Sequence, residues 1–277
     1  MKKWYTVILI LILLAGLSLL LYPPVSNYWN SKRQTKAISA YNEAVSQNDS
    51  SRIADMLDEA HAYNRELASV RQTFILDDAQ LARYKSILDI SGTGILGYIE
   101  IPKISVSLPV YHSVEDAVLE IGVGHIPGSS FPVGGESTHA ILTGHTGLPS
   151  ASLLTDLDQL ELGDTFLIRV LDQNLLYQVD QIVTCLPEDV SQLLITRGED
   201  YCTIVTCTPL GINTHRLLVR GTRIEYTPEN MIIFSSDAVK IDPVLVMPFI
   251  AVPILLLLFL FIMLTGGKKK RRKDDEL

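Results

Sequence analysis

Apolar and polar residues follow three different rhythms along the chain. Residues 4–22 (WYTVILILILLAGLSLLLY) and 244–265 (VLVMPFIAVPILLLLFLFIMLT) are mostly apolar and carry no charge. A helix of either length spans a hydrocarbon layer of roughly 30 Å. Between them, Ile53, Met56, Leu57, Ala60, Tyr63, Leu67 and Val70 recur three and four apart, which is one face of a helix. Asp49 or Ser50 stands where its cap belongs. No proline occurs from Val25 to Ile101, so residues 33–90 predict two or three helices on a stalk, serving as a spacer or a regulatory element. Beyond Ser91 the texture changes to short β-rich runs at 94–101, 104–112, 139–143, 165–171, 175–185, 201–207 and 216–226. Glycine- and proline-bearing turns at 126–138, 162–164 and 208–214 separate them. Runs at this spacing predict a mainly β fold, a closed barrel or a sandwich. Residues 113–120 and 150–160 predict single short helices.

Charge sets the orientation. Lys2 and Lys3 precede the first apolar stretch, and the basic run from Lys268 to Lys273 follows the second. Basic residues beside a span stay in the cytoplasm. The expected organisation is a cytoplasmic start at 1–3, a membrane helix at 4–22, a helical extension at 23–90 and a β domain at 91–230. A linker at 231–243, a second membrane helix at 244–265 and a basic cytoplasmic tail at 266–277 complete it. This is a two-pass protein of the cell membrane with both termini inside and the β domain outside. A cleaved leader is the alternative for the first stretch, but its apolar part exceeds the roughly 7–15 residues usual there and no small-x-small cleavage site is clear.

The net charge of −8 hides an asymmetry. Without the terminal basic residues and the acids Asp274, Asp275 and Glu276, 15 basic and 28 acidic residues remain, a balance of −13. Nucleic acid is excluded as a partner, because phosphate binding needs the opposite sign. The basic tail can touch anionic membrane lipid or act as a plain stop-transfer signal.

Three cysteines, Cys185, Cys202 and Cys207, are an odd and sparse set for a secreted disulfide scaffold. Cys202 and Cys207 share one extended run, roughly 16 Å apart, beyond the reach of a disulfide; a pairing with Cys185 stays open. In TIVTC, Thr203, Val205 and Cys207 fall on one face, and Cys207 ends the run just before a turn with Pro209 and Gly211. A strand end beside a loop can hold a side chain rigidly and leave it reachable, though a free cysteine is as often a small buried hydrophobe. Arg216 opens the next run, nine residues on, and returns beside Cys207 if the two runs pair. A guanidinium there favours the nucleophilic thiolate and can hold an oxyanion. Among the six histidines, His145 lies between Gly144 and Gly147, a setting suited to facing a cleft, whereas His139 lies within a strand. A zinc site from His125, His139 and His145 is conceivable, but no pair has metal-motif spacing, and the reading is of no metal and no organic cofactor. Histidine with cysteine is the usual pairing for covalent acyl transfer.

These residues resemble the sortases. Thr203-Ile204-Val205-Thr206-Cys207 resembles their T-L-x-T-C signature, with Ile204 where leucine is usual. LTGHTG around His145 resembles the segment with their histidine, and Arg216 matches their arginine. From GYIEIPKI (97–104) to RLLVRGTRI (216–224) the likeness runs throughout. Two spans, a helical extension and a basic tail are similar to class C, the pilin-polymerising sortases of Gram-positive bacteria. The resemblance implies a closed β-barrel of about seven to eight strands. It also implies a cysteine transpeptidase with Cys207 as nucleophile, His145 as general acid/base and Arg216 stabilising substrate and oxyanion. Its substrates would be secreted pilin subunits with LPxTG-like sorting signals. A housekeeping sortase serving the cell wall, a cysteine peptidase and a non-catalytic pilus-assembly scaffold are the rivals. Many class C members carry an Asp-Pro-aromatic lid. Here QTFILDDAQLARY (72–84) has Asp77 followed by Asp78 and Ala79. Either Phe74 or Ile75 supplies other contacts, or the site is open.

Overall fold

The structure, a computed structural model, describes residues 3–227 together with 252, 253 and 255. The expected linker, most of the expected second span and the expected basic tail lie outside the described residues. Helix α1 (Lys3–Ser46) carries the first apolar stretch and continues through Pro23 and Pro24. Its segment Ile10–Ser46 is long and apolar enough to cross a membrane. The chain divides after Asn27, and Tyr28 onward shares one compact unit with everything described below.

The periodic stripe becomes α2 (Ser50–Ser69), capped by Asp49, whose carboxylate accepts from the Arg52 amide at 2.8 Å. A third helix, α3 (Asp78–Ser86), starts on a reciprocal cap between Asp77 and Gln80. This arrangement satisfies two amides that a helix start leaves without partners. Residues 70–77 join α2 to α3 without helix or strand, as an extended strap.

Eight strands follow: β1 (Ile95–Ile101), β2 (Val106–Tyr111), β3 (Val123–His125), β4 (Thr138–Thr143), β5 (Thr165–Val170), β6 (Gln173–Cys185), β7 (Asp200–Thr208) and β8 (His215–Ile224). They close into a barrel in the order β1-β2-β3-β4-β7-β8-β6-β5. The pairs β2–β3 and β4–β7 are parallel, and the others are antiparallel. All seven expected runs are strands. The eighth, β3, has only three residues with a glycine in the middle, too few to show alternation. Gly124 is needed there because a Cβ would lie 2.2 Å from the Ser113 carbonyl. Of the two expected short helices, α4 (Asp116–Leu119) forms, whereas 150–160 holds only a single 3-10 turn at Leu157–Gln159.

From Tyr28 onward the three helices lie against the barrel rather than standing off it as a stalk. Tyr41, Ile53, Ala60 and Tyr84 belong to the same buried apolar cluster as Ile99, Leu142, Ile204 and Val219. Each helix also ties one buried polar side chain to the barrel. The Tyr41 hydroxyl donates to the Leu96 carbonyl (2.8 Å) and accepts from the Leu171 amide (2.7 Å). Asn64 donates to the Phe131 carbonyl (3.0 Å) and accepts from its amide (2.7 Å). The Tyr84 hydroxyl lies 2.8 Å from His125 Nδ1. The other ring nitrogen, Nε2, is 2.8 Å from the Ser130 carbonyl, which can only accept. The proton therefore sits on Nε2, and Tyr84 donates to Nδ1. A buried polar group left unpaired costs about 1–3 kcal/mol, so these bonds hold the helices to one docking geometry.

Candidate active site

Strand β7 has two chemically different faces. The inner face presents Cys202, Ile204 and Thr206 to the barrel, all buried. The outer face presents Thr203, Val205 and Cys207. Cys202 and Cys207 are five residues apart, so alternation sends them to opposite sides. Cys202 is wholly buried, and burial pushes its thiol well up, assisted by the nearby Asp200 charge. Cys207 is half-buried at the strand's outer end. All three cysteines are free.

The register assembles the remaining groups around Cys207. On one side, Arg216 of β8 is its direct antiparallel partner. On the other, β4 runs parallel with Thr143 opposite Val205. The Gly144 amide then donates to the Val205 carbonyl (3.2 Å), and Thr206 Oγ1 donates to the Gly144 carbonyl (3.0 Å). His145 follows at once, which brings it level with Cys207. The Leu154 amide donates to the His145 carbonyl (3.3 Å) and ties down this turn. His145 is half-buried, and alternation from Ile141 through Thr143 puts it on the outer face. The three residues singled out in the sequence thus stand on three adjacent strand ends. Arg216 Nη1 donates to the carbonyls of Asn213 (3.3 Å) and His215 (3.1 Å), so the guanidinium is held by the β7–β8 loop.

Two of the other histidines, His125 and His139, are buried and serve packing. His125 stacks with Tyr84 and Phe131, and burial depresses it to about 3. His139 Nδ1 donates to the Leu194 carbonyl (3.1 Å), and Nε2 accepts from Thr203 Oγ1 (2.7 Å). Burial lowers His139 to about 4. These two and His145 do not converge.

Three features complete the site, and the sequence offered only the third, as one of two alternatives. Cys185 pairs with Arg216 from the opposite side in β6, so a second thiol completes the row. The two thiol-bearing positions lie about 10 Å apart across β8, outside disulfide reach. Burial, then the Asp189 charge, pushes the Cys185 thiol up, against the opposing pull of Arg216. Secondly, Ile141, Val205 and Leu218, with Leu193 from the β6–β7 loop, form an apolar floor one pleat from Cys207. Thirdly, Phe74 of the strap packs on that floor, whereas Ile75 is 85% exposed. The strap is held by Gln72, which donates to the Gly128 carbonyl (3.2 Å) and accepts from the Ile195 amide (2.9 Å). Its close approach requires Gly128, where a Cβ would lie 2.2 Å from the Thr73 carbonyl. Periodicity cannot show an outer floor, because it is shared among three strands and a loop.

Comparison with known proteins decides the family. The sortase domain model matches residues 99–224. The crystal structure of sortase C1 from Streptococcus agalactiae is 44% identical, with a TM-score of 0.68, covering 69% of this chain and 100% of that one. The chain belongs to the sortase family. Sortase C of Streptococcus pneumoniae is 43% identical, with a TM-score of 0.61, over 69% of this chain and 98% of that one. Sortase A of Bacillus anthracis is 24% identical over 220 residues, 79% of this chain and 94% of the relative. This sortase is therefore a cysteine transpeptidase by family, and its structural relatives are class C enzymes. The barrel, the short helices and the helical extension agree with the expected fold.

Proposed function

We propose that this sortase is a pilin polymerase held at the cell membrane, and that Cys207, His145 and Arg216 carry its chemistry. The supporting observation is the row of strand ends that aligns His145, Cys207 and Arg216 on the outer barrel face beside an apolar floor. In this reading Cys207 attacks the Thr–Gly carbonyl of an LPxTG-like signal on a secreted subunit. The sulfur–carbon bond forms as the carbon–nitrogen bond breaks. The proton lost by the thiol leaves with the amine, delivered by His145. Arg216 holds the oxyanion, which requires its guanidinium to leave the loop carbonyls and turn to the substrate. A lysine amine of the next subunit then attacks the thioester and frees the thiol. No metal or organic cofactor enters these steps.

Class C relatives support the pilin substrate, since the Streptococcus pneumoniae enzyme is described for its pilin substrate specificity. The apolar α1 segment supports anchoring; in this reading the barrel lies on the extracellular face and the apolar stretch 244–265 forms a second span. Enzyme and substrate held in one membrane meet at raised effective concentration. Phe74 on the apolar floor supports a lid role for the strap, without the Asp-Pro-aromatic motif. Substrate entry then requires the strap to lift beyond its Gln72 anchor, taking Phe74 off the floor.

The test incubates the full chain in detergent with an LPxTG-containing peptide and a pilin-derived lysine peptide, followed by mass measurement. A thioester on Cys207 and an amide-linked product are expected. Cleavage without a linked product favours a peptidase. Linkage only to a cell-wall amine favours the housekeeping role. No adduct, even after removal of residues 70–77, returns the scaffold reading.

A further inference from the structure

The apolar floor runs away from Cys207 in one direction only. Toward the N-terminal end of β7 lie Val205, Leu218, Ile141 and then His139, which is level with Tyr201. In the other direction lie the exposed residues Pro209 and Leu210 of the β7–β8 loop. An acyl donor with apolar residues before its scissile bond therefore lies along the floor. From Cys207 to Tyr201 is six residues, or about 20 Å. Four extended residues of a signal cover about 13 Å. The donor chain ahead of the signal thus reaches the level of His139 and the β6–β7 loop.

An open cleft adjoins the floor at that point. Its volume is about 680 Å³, within the range of ligand sites. Val70, Arg71 and Gln72 of the strap line one side, and Leu194, Ile195 and Arg197 of the β6–β7 loop line the other. The strap and loop residues next to these, Phe74 and Leu193, already belong to the floor. Arg71 and Arg197 are the charged residues of the lining, and no acid joins them there. Both are exposed, and neither has an acidic partner within 4 Å among the described residues. Two arginines without an acidic partner thus line one cleft, although the chain between its charged ends has a balance of −13. They make the cleft complementary to negative charge, while Val70 and Leu194 offer apolar contact.

We propose that this cleft binds an acidic stretch of the donor polypeptide, immediately N-terminal to the signal. The proposal rests on the reading of Cys207 as the acyl acceptor. Arg71 and Arg197 then select among donors with the same signal by the charge that precedes it. Arginine suits this task, since its planar fork engages carboxylates in pairs.

The test measures fluorescence anisotropy on the full-length chain carrying Cys207→Ala, in detergent at low salt. Three labelled peptides share one LPxTG-like signal and differ in the four preceding residues, all Glu, all Gln or all Lys. The Glu peptide should bind about three- to ten-fold tighter than the Lys peptide, as two solvent-exposed ion pairs allow. The preference should shrink as salt is raised. It should fall to near unity in R71Q/R197Q and reverse in R71E/R197E. Reversal also establishes that the variant is folded. Equal binding of all three peptides, binding of none, or a preference that survives the charge swap overturns the proposal. Parallel turnover by the chain with Cys207 intact separates the two readings. Turnover without charge preference removes the cleft and leaves Cys207 standing. A charge preference that follows the swap, without turnover of any peptide, keeps the cleft and removes Cys207 as acyl acceptor.

Discussion

The two faces of strand β7 differ in every property that matters for reactivity, although their residues alternate along one short run. Cys202 lies inside, sealed among Ile204, Val219 and Phe166, where burial suppresses ionisation. Cys207 lies outside, with His145 and Arg216 on flanking strand ends. One cysteine is packing and the other is presented. The side chain alone distinguishes nothing here; the parity of its position and the identity of its lateral neighbours do. The outer face is in turn divided. Its floor is covered by Phe74, while the row containing Cys207 stays half-exposed.

Exchanging the cysteines breaks this contrast most severely. Cys207→Ala should lower formation of linked product by about 10³-fold or more, read by mass. Alkylation of the native protein should modify Cys207, while Cys202 should react only after unfolding. Next comes Arg216→Ala, expected to lose about 10²- to 10³-fold in kcat, as removal of an oxyanion donor does. Arg216→Lys should recover only part, because a point charge does not reproduce the guanidinium fork.

A smaller effect of opposite sign sharpens the division of the outer face. Phe74→Ala should raise the hydrolysis of a model peptide by about three- to ten-fold, the gain available when one aromatic contact no longer holds the strap closed. An unchanged rate would remove the lid role. On the inner face, Cys202→Ser should cost about 1–3 kcal/mol by placing a hydroxyl in an apolar site, lowering Tm by several degrees. Its linked product should still form at permissive temperature.

The mildest test concerns the buried histidines. His125 and His139 are depressed to about 3 and about 4 by burial, below the ordinary value of 6.5. Below pH 6.5 the unfolded chain takes up protons that the folded chain refuses. The stability they contribute is therefore complete above that pH and is lost as pH falls toward 4. Each should contribute a slope of roughly 1 kcal/mol per pH unit in that window. Chemical denaturation at pH 7, 6 and 5 would read it, and His139→Gln should reduce the slope.

Much of this was legible in the chain itself. Seven of the eight strands announced themselves because each has a run of β-branched and apolar residues long enough to alternate. The stripe from Ile53 marked α2, and Asp49 its start. TIVTC, LTGHTG and Arg216 each carried a local signal, since strand ends, flanking glycines and turn lengths are properties of neighbouring residues. The strand β3 was silent because three residues hold no period. The helices of the extension were visible, but their place was not. Tyr41, Asn64 and Tyr84 read as ordinary helix residues until their partners on Leu96, Phe131 and His125 are known.

The sequence by itself determined the helices of the extension, seven of the eight strands, and that Cys207 faces away from Cys202, because these follow from spacing along one chain. Only the tertiary structure decided that Arg216 has a thiol on each side, that Phe74 covers the floor, and that Arg71 and Arg197 line one cleft. Those relations join residues from 31 to 144 positions apart, except for the short β7–β8 return. Their geometry is set by barrel closure and register, which the packing of the whole core selects and no local pattern encodes.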